Sequence, residues 1–285
     1  MGSQKNNQTL RVGMAQMDCK LGDVAFNIEK VIGIIEKHRA ELDLLVFPEL
    51  MLTGYGVSSQ FYEYALRVDS KLFKTLIKVT QGIRVVVGFI EEDDAFHFYN
   101  SVAIIQDQKL LAVHRKIFLP NYGIFEERKY FAVGRDLTCV DIDGFRMAPY
   151  ICGDAWNPAL VHIGALDRAH ILIFSVCSPE GALGSKLSSQ ASWKRLNRFY
   201  ASMYGVYVIF VNRTGSERNL KFWGESELID PFGSLVAASE DDSEEVVLAT
   251  IDRSVIREAR TVLNTVRDED PRFLQRQLTR VIHDD

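Results

Sequence analysis

The chain has little of what would tie it to a metal, a membrane or a nucleic acid. Its 285 residues hold only four cysteines, Cys19, Cys139, Cys152 and Cys177, far apart in sequence, and neither a CxxC nor an HExxH spacing occurs. The six histidines (His38, His97, His114, His162, His170 and His283) do not cluster, so no metal and no cofactor is expected. No run of 18 apolar residues and nothing like a secretory segment is present, which argues against membrane association. A chain of this size can bury a large core without disulfide staples, so its thiols fit a reducing, cytoplasmic location. The formal charge of −5 gives no long-range pull toward nucleic acid or anionic lipid. GALGS, 181–185, lacks the Lys-Ser/Thr of a phosphate loop and reads as a flexible loop near a cleft mouth. The polar opening MGSQKNN suggests disorder over residues 1–8.

What is there is an ordinary soluble composition, 47% apolar and 25% charged. One large α/β domain over 1–285 is expected. RVGMAQM has strand character, NIEKVIGIIEKHRAEL carries apolar residues at helical spacing, and LDLLVFPEL is a nearly unbroken apolar run. The order recurs in FRMAPYIC, a helix through LVHIGALDRA, and HILIFSVCSP, so the architecture looks duplicated although the sequence does not repeat. Between these halves, GIRVVVGFI precedes two β-rich runs broken by Gln-Asp-Gln, which predicts a hairpin. VYVIFVNRTG and ELIDPFGSLVAAS add strands, and a charged, helix-prone tail from residue 252 is expected to pack on the domain or on a neighbouring subunit, with Arg257, Arg260 and Arg267 serving that docking.

Chemistry gathers at the carboxyl ends of buried strands in such sheets. Two strands end at Glu49 and Cys152 on this reading. A carboxylate buried without a partner has its charged form disfavoured and can act as a general base near neutral pH; the bland alternative for Glu49 is a turn cap or a surface ion pair. Arg115 and Lys116 are adjacent on a strand and point to opposite faces, so one ammonium or guanidinium can face inward toward a developing oxyanion. One of Glu126 and Glu127 can enter the same cleft. Free cysteines mostly pack, as Cys177 does in LIFSVCSP, but Cys152 sits at a strand end before Gly153, where backbone N–H groups can approach a substrate oxygen. A Cys/His pairing through His114, His162 or His170 is the rival arrangement. Tyr55, Tyr122, Trp156 and Trp193 are candidate pocket aromatics, and Glu91-Glu92-Asp93-Asp94 reads as a solvated approach to the hairpin.

Taken together, FPEL with Glu49, HRKIFLP with Lys116 and YICGDAW with Cys152 resemble the nitrilase, or carbon–nitrogen hydrolase, superfamily, whose members carry a Glu, Lys, Cys triad in that chain order. The resemblance extends over VGMAQMDCKLGDVAFNIEKV, LTGYG, FYNSVAII and GESELIDPFG, nearly the whole chain. It implies a four-layer αββα sandwich, with Glu49 as base, Cys152 as nucleophile, and Lys116 and the amide after the cysteine holding the oxyanion. A second glutamate in a Phe-x-Glu pattern falls on Glu127, with Glu126 the fallback, and Tyr55, Tyr122, Gly153 and Trp156 would position substrate. The implied activity is hydrolysis of a small amide through an acyl thioester.

LPNYGIFEERKYFAVG and Cys-x-Asp-x-Trp-x-Pro look most like the glutaminase domains of glutamine-dependent NAD synthetases. No Ser-Gly-Gly stretch of a synthetase half appears, so either a free-standing amidase or a component serving a separate synthetase partner is implied. Nitrile hydrolysis is disfavoured, because that branch usually has Trp where this chain has Gly153. A homodimer or larger homo-oligomer is also implied. The reading from another class is a silent nitrilase-like module that only binds a ligand or partner.

Overall fold

The computed structural model describes residues 8–56, 60–184 and 186–283. Its first half runs β1 (Thr9–Gln16), α1 (Val24–His38), β2 (Leu44–Val46), α2 (Lys71–Lys78), β3 (Arg84–Glu92), β4 (Phe98–Gln106) and β5 (Lys109–Arg115). The second runs β6 (Val140–Ile142), β7 (Phe145–Ile151), α3 (Pro158–Leu166), β8 (Ile171–Val176), α4 (Ser189–Tyr204), β9 (Tyr207–Asn212), β10 (Thr214–Glu217), β11 (Leu220–Trp223), β12 (Glu227–Ile229), β13 (Leu235–Ala238), β14 (Glu245–Asp252), α5 (Arg253–Val262) and α6 (Pro271–His283).

Two six-stranded sheets result, ordered β14-β1-β2-β3-β4-β5 and β13-β12-β9-β8-β7-β6, with β10 and β11 a separate hairpin. The central strands pair in parallel, β1 with β2 and β2 with β3 in one sheet, β7 with β8 and β8 with β9 in the other. Because both faces of these strands are covered, their sequences are continuous apolar runs rather than alternating ones. Alternate residues then sort into layers. Val12, Met14, Leu44, Val46 and Val86 meet Met147, Ile151, Ile171, Ile173 and Ile209 between the sheets. Leu45, Val85, Val87 and Phe89 face Ile28, Val31 and Ile35 of α1 and Phe73 and Leu76 of α2. Tyr150, Leu172, Phe174 and Phe210 face Val161 of α3 and Trp193 and Tyr200 of α4. The four layers are thus helix, sheet, sheet, helix.

Several local expectations hold and others do not. The Gln-Asp-Gln break is a hairpin turn, with Asp107 and Gln108 both at positive φ (47° and 62°), the geometry that matches the twist of paired strands. The apolar run around Glu49 is strand for only three residues, Leu44–Val46. Beyond it Phe47 N–H still bonds Val86 O, Pro48 offers no donor, and the chain turns at Leu50, at φ 51°. The turn lies so close to β3 that a Cβ on Gly88 would stand 2.4 Å from Leu50 N and 2.6 Å from Pro48 O. Glu49 therefore sits on a turn beyond the strand, pressed over Gly88.

The acidic run before the hairpin is not uniformly solvated. Glu91 is buried and grips Arg115, with Arg115 Nη2 2.6 Å from Glu91 Oε1 and Ser101 Oγ donating to its other oxygen. In the tail, α5 packs through Ile256 and Ala259, and Arg260 donates to Gly205 O and Ala169 O. Arg257 is exposed, and Arg267 pairs with its neighbour Asp268 instead of docking. The helical pattern breaks between α5 and α6, and α6 buries no residue. Of the segment expected to be disordered, only Gln8 is described, and its carbonyl accepts from Arg253 N–H.

Candidate active site

The ends of β2, β5 and β7 converge; Lys116 and Cys152 stand immediately after the last residues of β5 and β7, and Glu49 on the turn three residues beyond β2. Lys116 follows β5 and continues its pairing with one more bond, from its N–H to Asn100 O at 2.8 Å. Its side chain is fully buried, as is that of Glu49, and its ammonium bridges Glu49 Oε1 at 2.7 Å and Glu127 Oε1 at 2.8 Å. Arg115, one residue earlier, points the other way to Glu91, as the alternation of a strand requires. Of the two neighbouring acids Glu127 is buried on Lys116, while Glu126 is exposed.

Charge sets the protonation of this cluster. Burial alone would lower the Lys116 pKa, but the nearby Glu127, Glu49 and Cys152 outweigh it and raise it well above its ordinary value, so the group is an ammonium. Burial pushes Glu127 up to about 7; the charge of Glu49 adds to the rise, and Lys116 and Tyr55 offset part of it. Two carboxyls thus share one cation, and one oxygen of each, Glu49 Oε2 and Glu127 Oε2, is buried with no hydrogen-bond partner among the described residues.

Cys152 opens a short 3-10 turn, Cys152–Trp156, directly after β7. Its φ of 41° is unusual for a residue with a Cβ and marks stored strain at the strand end. The sulfur lies within the electrostatic reach of Glu49, Lys116 and Glu127, and the Cys177 backbone N–H points to it. Burial raises the Cys152 pKa well above the usual thiol value, Glu49 adding to this and Lys116 opposing it. The resting group is a thiol, so a base must take its proton as it attacks. None of the three candidate histidines offers a Cys/His pair: His114 Nε2 lies 3.2 Å from Asp154, His162 faces Glu269, and His170 accepts from Arg146 N–H.

Gly153 lies against the chain after Lys116. A Cβ there would stand 2.7 Å from Phe118 O and 3.5 Å from Lys116 Cε, so no side chain, least of all tryptophan, fits without moving backbone. Gly153→Ala is expected to cost about 1–3 kcal/mol, read by denaturant unfolding, and to lower turnover by displacing the Lys116–Phe118 segment.

Sequence reasoning missed three positioning groups. Asp154 accepts from Ile151, Ile117 and Phe118 N–H at 3.0, 2.9 and 2.8 Å, and so ties the Cys152 turn to the Lys116 segment. Asn100 of β4 donates to Glu49 Oε1 at 2.8 Å. Glu217 accepts from Tyr55 and Gly56 N–H and pairs with the buried Arg213 at 2.6 Å. Tyr55, held in this way, donates its hydroxyl to Glu127 Oε1 at 3.0 Å. Asp154 and Asn100 stand in motifs already singled out, YICGDAW and FYNSVAII, but only the fold shows what their side chains touch.

The aromatic candidates divide. Tyr122 and Trp156 line the small cavity that contains Cys152, together with Phe125, Ala182 and Leu183. Trp193 does not; it is buried in the outer layer, edge-on to Trp156 with ring centroids 5.5 Å apart, because α4 turns it into the sheet. In GALGS, Ala182 and Leu183 reach the cavity, and Ser185 lies outside the described residues. Among the described residues no group of three or more His, Cys, Asp or Glu is placed to hold a metal ion, and no helix is long and apolar enough to cross a membrane.

Comparison with known proteins adds a family. A carbon-nitrogen hydrolase model matches residues 11–261. A glutamine-dependent NAD(+) synthetase of Thermotoga maritima is 33% identical over 256 residues, covering 85% of this chain and 42% of the relative. The chain spans less than half the length of such synthetases. N-carbamoylputrescine amidase of Arabidopsis thaliana is 26% identical over 296 residues, 98% of each protein. A crystal structure of a carbon-nitrogen hydrolase from Helicobacter pylori G27 superposes with a TM-score of 0.83 at 23% identity, over 96% of this chain and 99% of that one, which shows a common fold.

Proposed function

Because this chain belongs to the carbon-nitrogen hydrolase family, we propose that its site is a thiol amidase that cleaves the C–N bond of a small linear amide through an acyl thioester on Cys152. The observation that carries this reading is the buried Lys116 ammonium bridging Glu49 and Glu127 beside a strained cysteine.

The steps follow from what each group can donate or accept. Glu49, with one oxygen spent on Lys116 and Asn100 and the other unpartnered, takes the thiol proton of Cys152 as the sulfur attacks the carbonyl carbon. The new oxyanion meets the Lys116 ammonium and the Gly153 N–H, both fixed before reaction. The C–N bond then breaks, the nitrogen takes the proton from Glu49, and ammonia or an amine leaves. A water molecule gives a proton to Glu49 and attacks the thioester; the acid departs and the sulfur recovers its proton. Glu127 stays on Lys116 throughout and aims the ammonium, with Tyr55 steadying it.

A second reading, supply of ammonia from glutamine to a separate synthetase, is favoured by the likeness to glutamine-dependent synthetases over a part of their length. Both readings are tested by incubating the protein with primary amides, glutamine and N-carbamoyl compounds, measuring ammonia, and seeking an acyl adduct on Cys152 by mass spectrometry. Ammonia release with a Cys152 adduct is expected; a broad panel without either would favour a silent binding module.

A further inference from the structure

The recess that holds Cys152 is small, about 20 Å³, room for a group of one or two water sizes. The reacting carboxamide fills it, and the rest of the substrate has to lie outside. A groove of about 560 Å³ adjoins it, and the two share Pro120, Tyr122, Gly153 and Trp156 as walls. A second groove beside Tyr55 and Glu127 carries Glu126, Glu217 and Arg218, but it shares only Phe125 with the recess. The non-reacting end of the substrate therefore runs past Tyr122 and Trp156 into the first groove.

That groove has one charged side chain among the described residues, Arg128. Arg128 is exposed and has no acidic partner there: its neighbours Glu126 and Lys129 face each other at 3.9 Å, and Glu127 is spent on Lys116. Asn157, which also lines the groove, uses its Oδ1 to cap α3, accepting from Ala159 and Leu160 N–H, which leaves its amide NH₂ as a donor. A planar guanidinium with an amide donor in the same groove matches a carboxylate, whereas the described lining offers nothing acidic to a cation. Resting on the amidase reading above, we infer that the preferred substrate carries a carboxylate at the end remote from the scissile amide, bound in this groove by Arg128.

Three amides of similar length separate the cases: glutaramate with an anionic end, pentanamide with a neutral one, and the amide of δ-aminovalerate with a cationic one. Wild type is expected to favour glutaramate over pentanamide in kcat/KM by about tenfold or more. Arg128→Gln should cut that ratio by about tenfold, Arg128→Lys should keep part of it, and Arg128→Glu should turn the preference toward the cationic amide. The unfolding midpoint of each variant shows whether it has folded. Hydrolysis with no preference among the three amides, or with a ratio that the Arg128 variants leave in place, overturns the inference while the amidase reading stands. Turnover of no amide at all overturns both.

Discussion

Replacing Cys152 with alanine is expected to lower amide hydrolysis by at least about 10⁴-fold and to abolish the acyl adduct, without unfolding the protein. The sulfur is the strongest nucleophile in the recess: the Lys116 nitrogen is held as an ammonium between two carboxyls, Cys177 is fully buried in its own strand extension, and the three candidate histidines are engaged elsewhere. Alanine keeps the Cβ and inherits the strained φ of 41°, so the backbone cost is unchanged and the cavity gained is that of one sulfur. Ammonia release and intact-protein mass, measured beside an unfolding curve, check this. A variant that kept about a tenth of the wild-type rate while folded would remove Cys152 from the mechanism. Because the resting group is a thiol rather than a thiolate, alkylation of Cys152 by iodoacetamide should be slow at neutral pH and should depend on Glu49, since Glu49→Gln removes the proposed acceptor of its proton.

Lys116→Met should be costly for stability as well as turnover. The side chain is completely buried between two carboxyls, and removing the cation leaves both without their shared partner. Breaking a buried pair from one side costs about 3–5 kcal/mol. The sign of the pH dependence follows from Glu127. In the folded protein its pKa is about 7 against an ordinary 4.5, so the native state holds this proton more tightly than the unfolded chain. Its contribution to stability is present in full below about 4.5 and is lost as pH rises through about 7. Without Lys116 the upward push on Glu127 grows, so the variant should lose most stability near about pH 8 and much less near about pH 5, where Glu127 holds its proton. Urea unfolding at the two pH values measures it, and Lys116→Met with Glu127→Gln should recover part of the loss at the higher one. Equal losses at both would mean that the cost is one of packing alone.

Local pattern carried a good deal of this. The apolar runs of β7, β8 and β9 announce strands covered on both faces, the helical spacing of Ile28, Val31 and Ile35 announces α1, and the polar Gln-Asp-Gln break announces a hairpin. Such features depend on residues close in sequence, so they can be read without the fold. The acid, cation and thiol were legible for a different reason: each stands in a short motif at a strand end, and three motifs in one order outweigh any single residue. Glu91 was misread because its solvated appearance in an acidic run ignores Arg115, which only the pairing of β3, β4 and β5 brings beside it.

The sequence by itself determined that the chain is a duplicated α/β domain with an acid, a cation and a thiol at strand ends, because periodicity and motif are properties of neighbours along the chain. Only the tertiary structure decided which of Glu126 and Glu127 faces Lys116, that Trp193 packs in the core, and that Asp154, Asn100 and Glu217 hold the Lys116 segment, Glu49 and Tyr55 in place. Those choices rest on contacts between residues from 11 to 162 positions apart. Direction, burial and charge at such contacts arise when the sheets stack, and no local pattern encodes them.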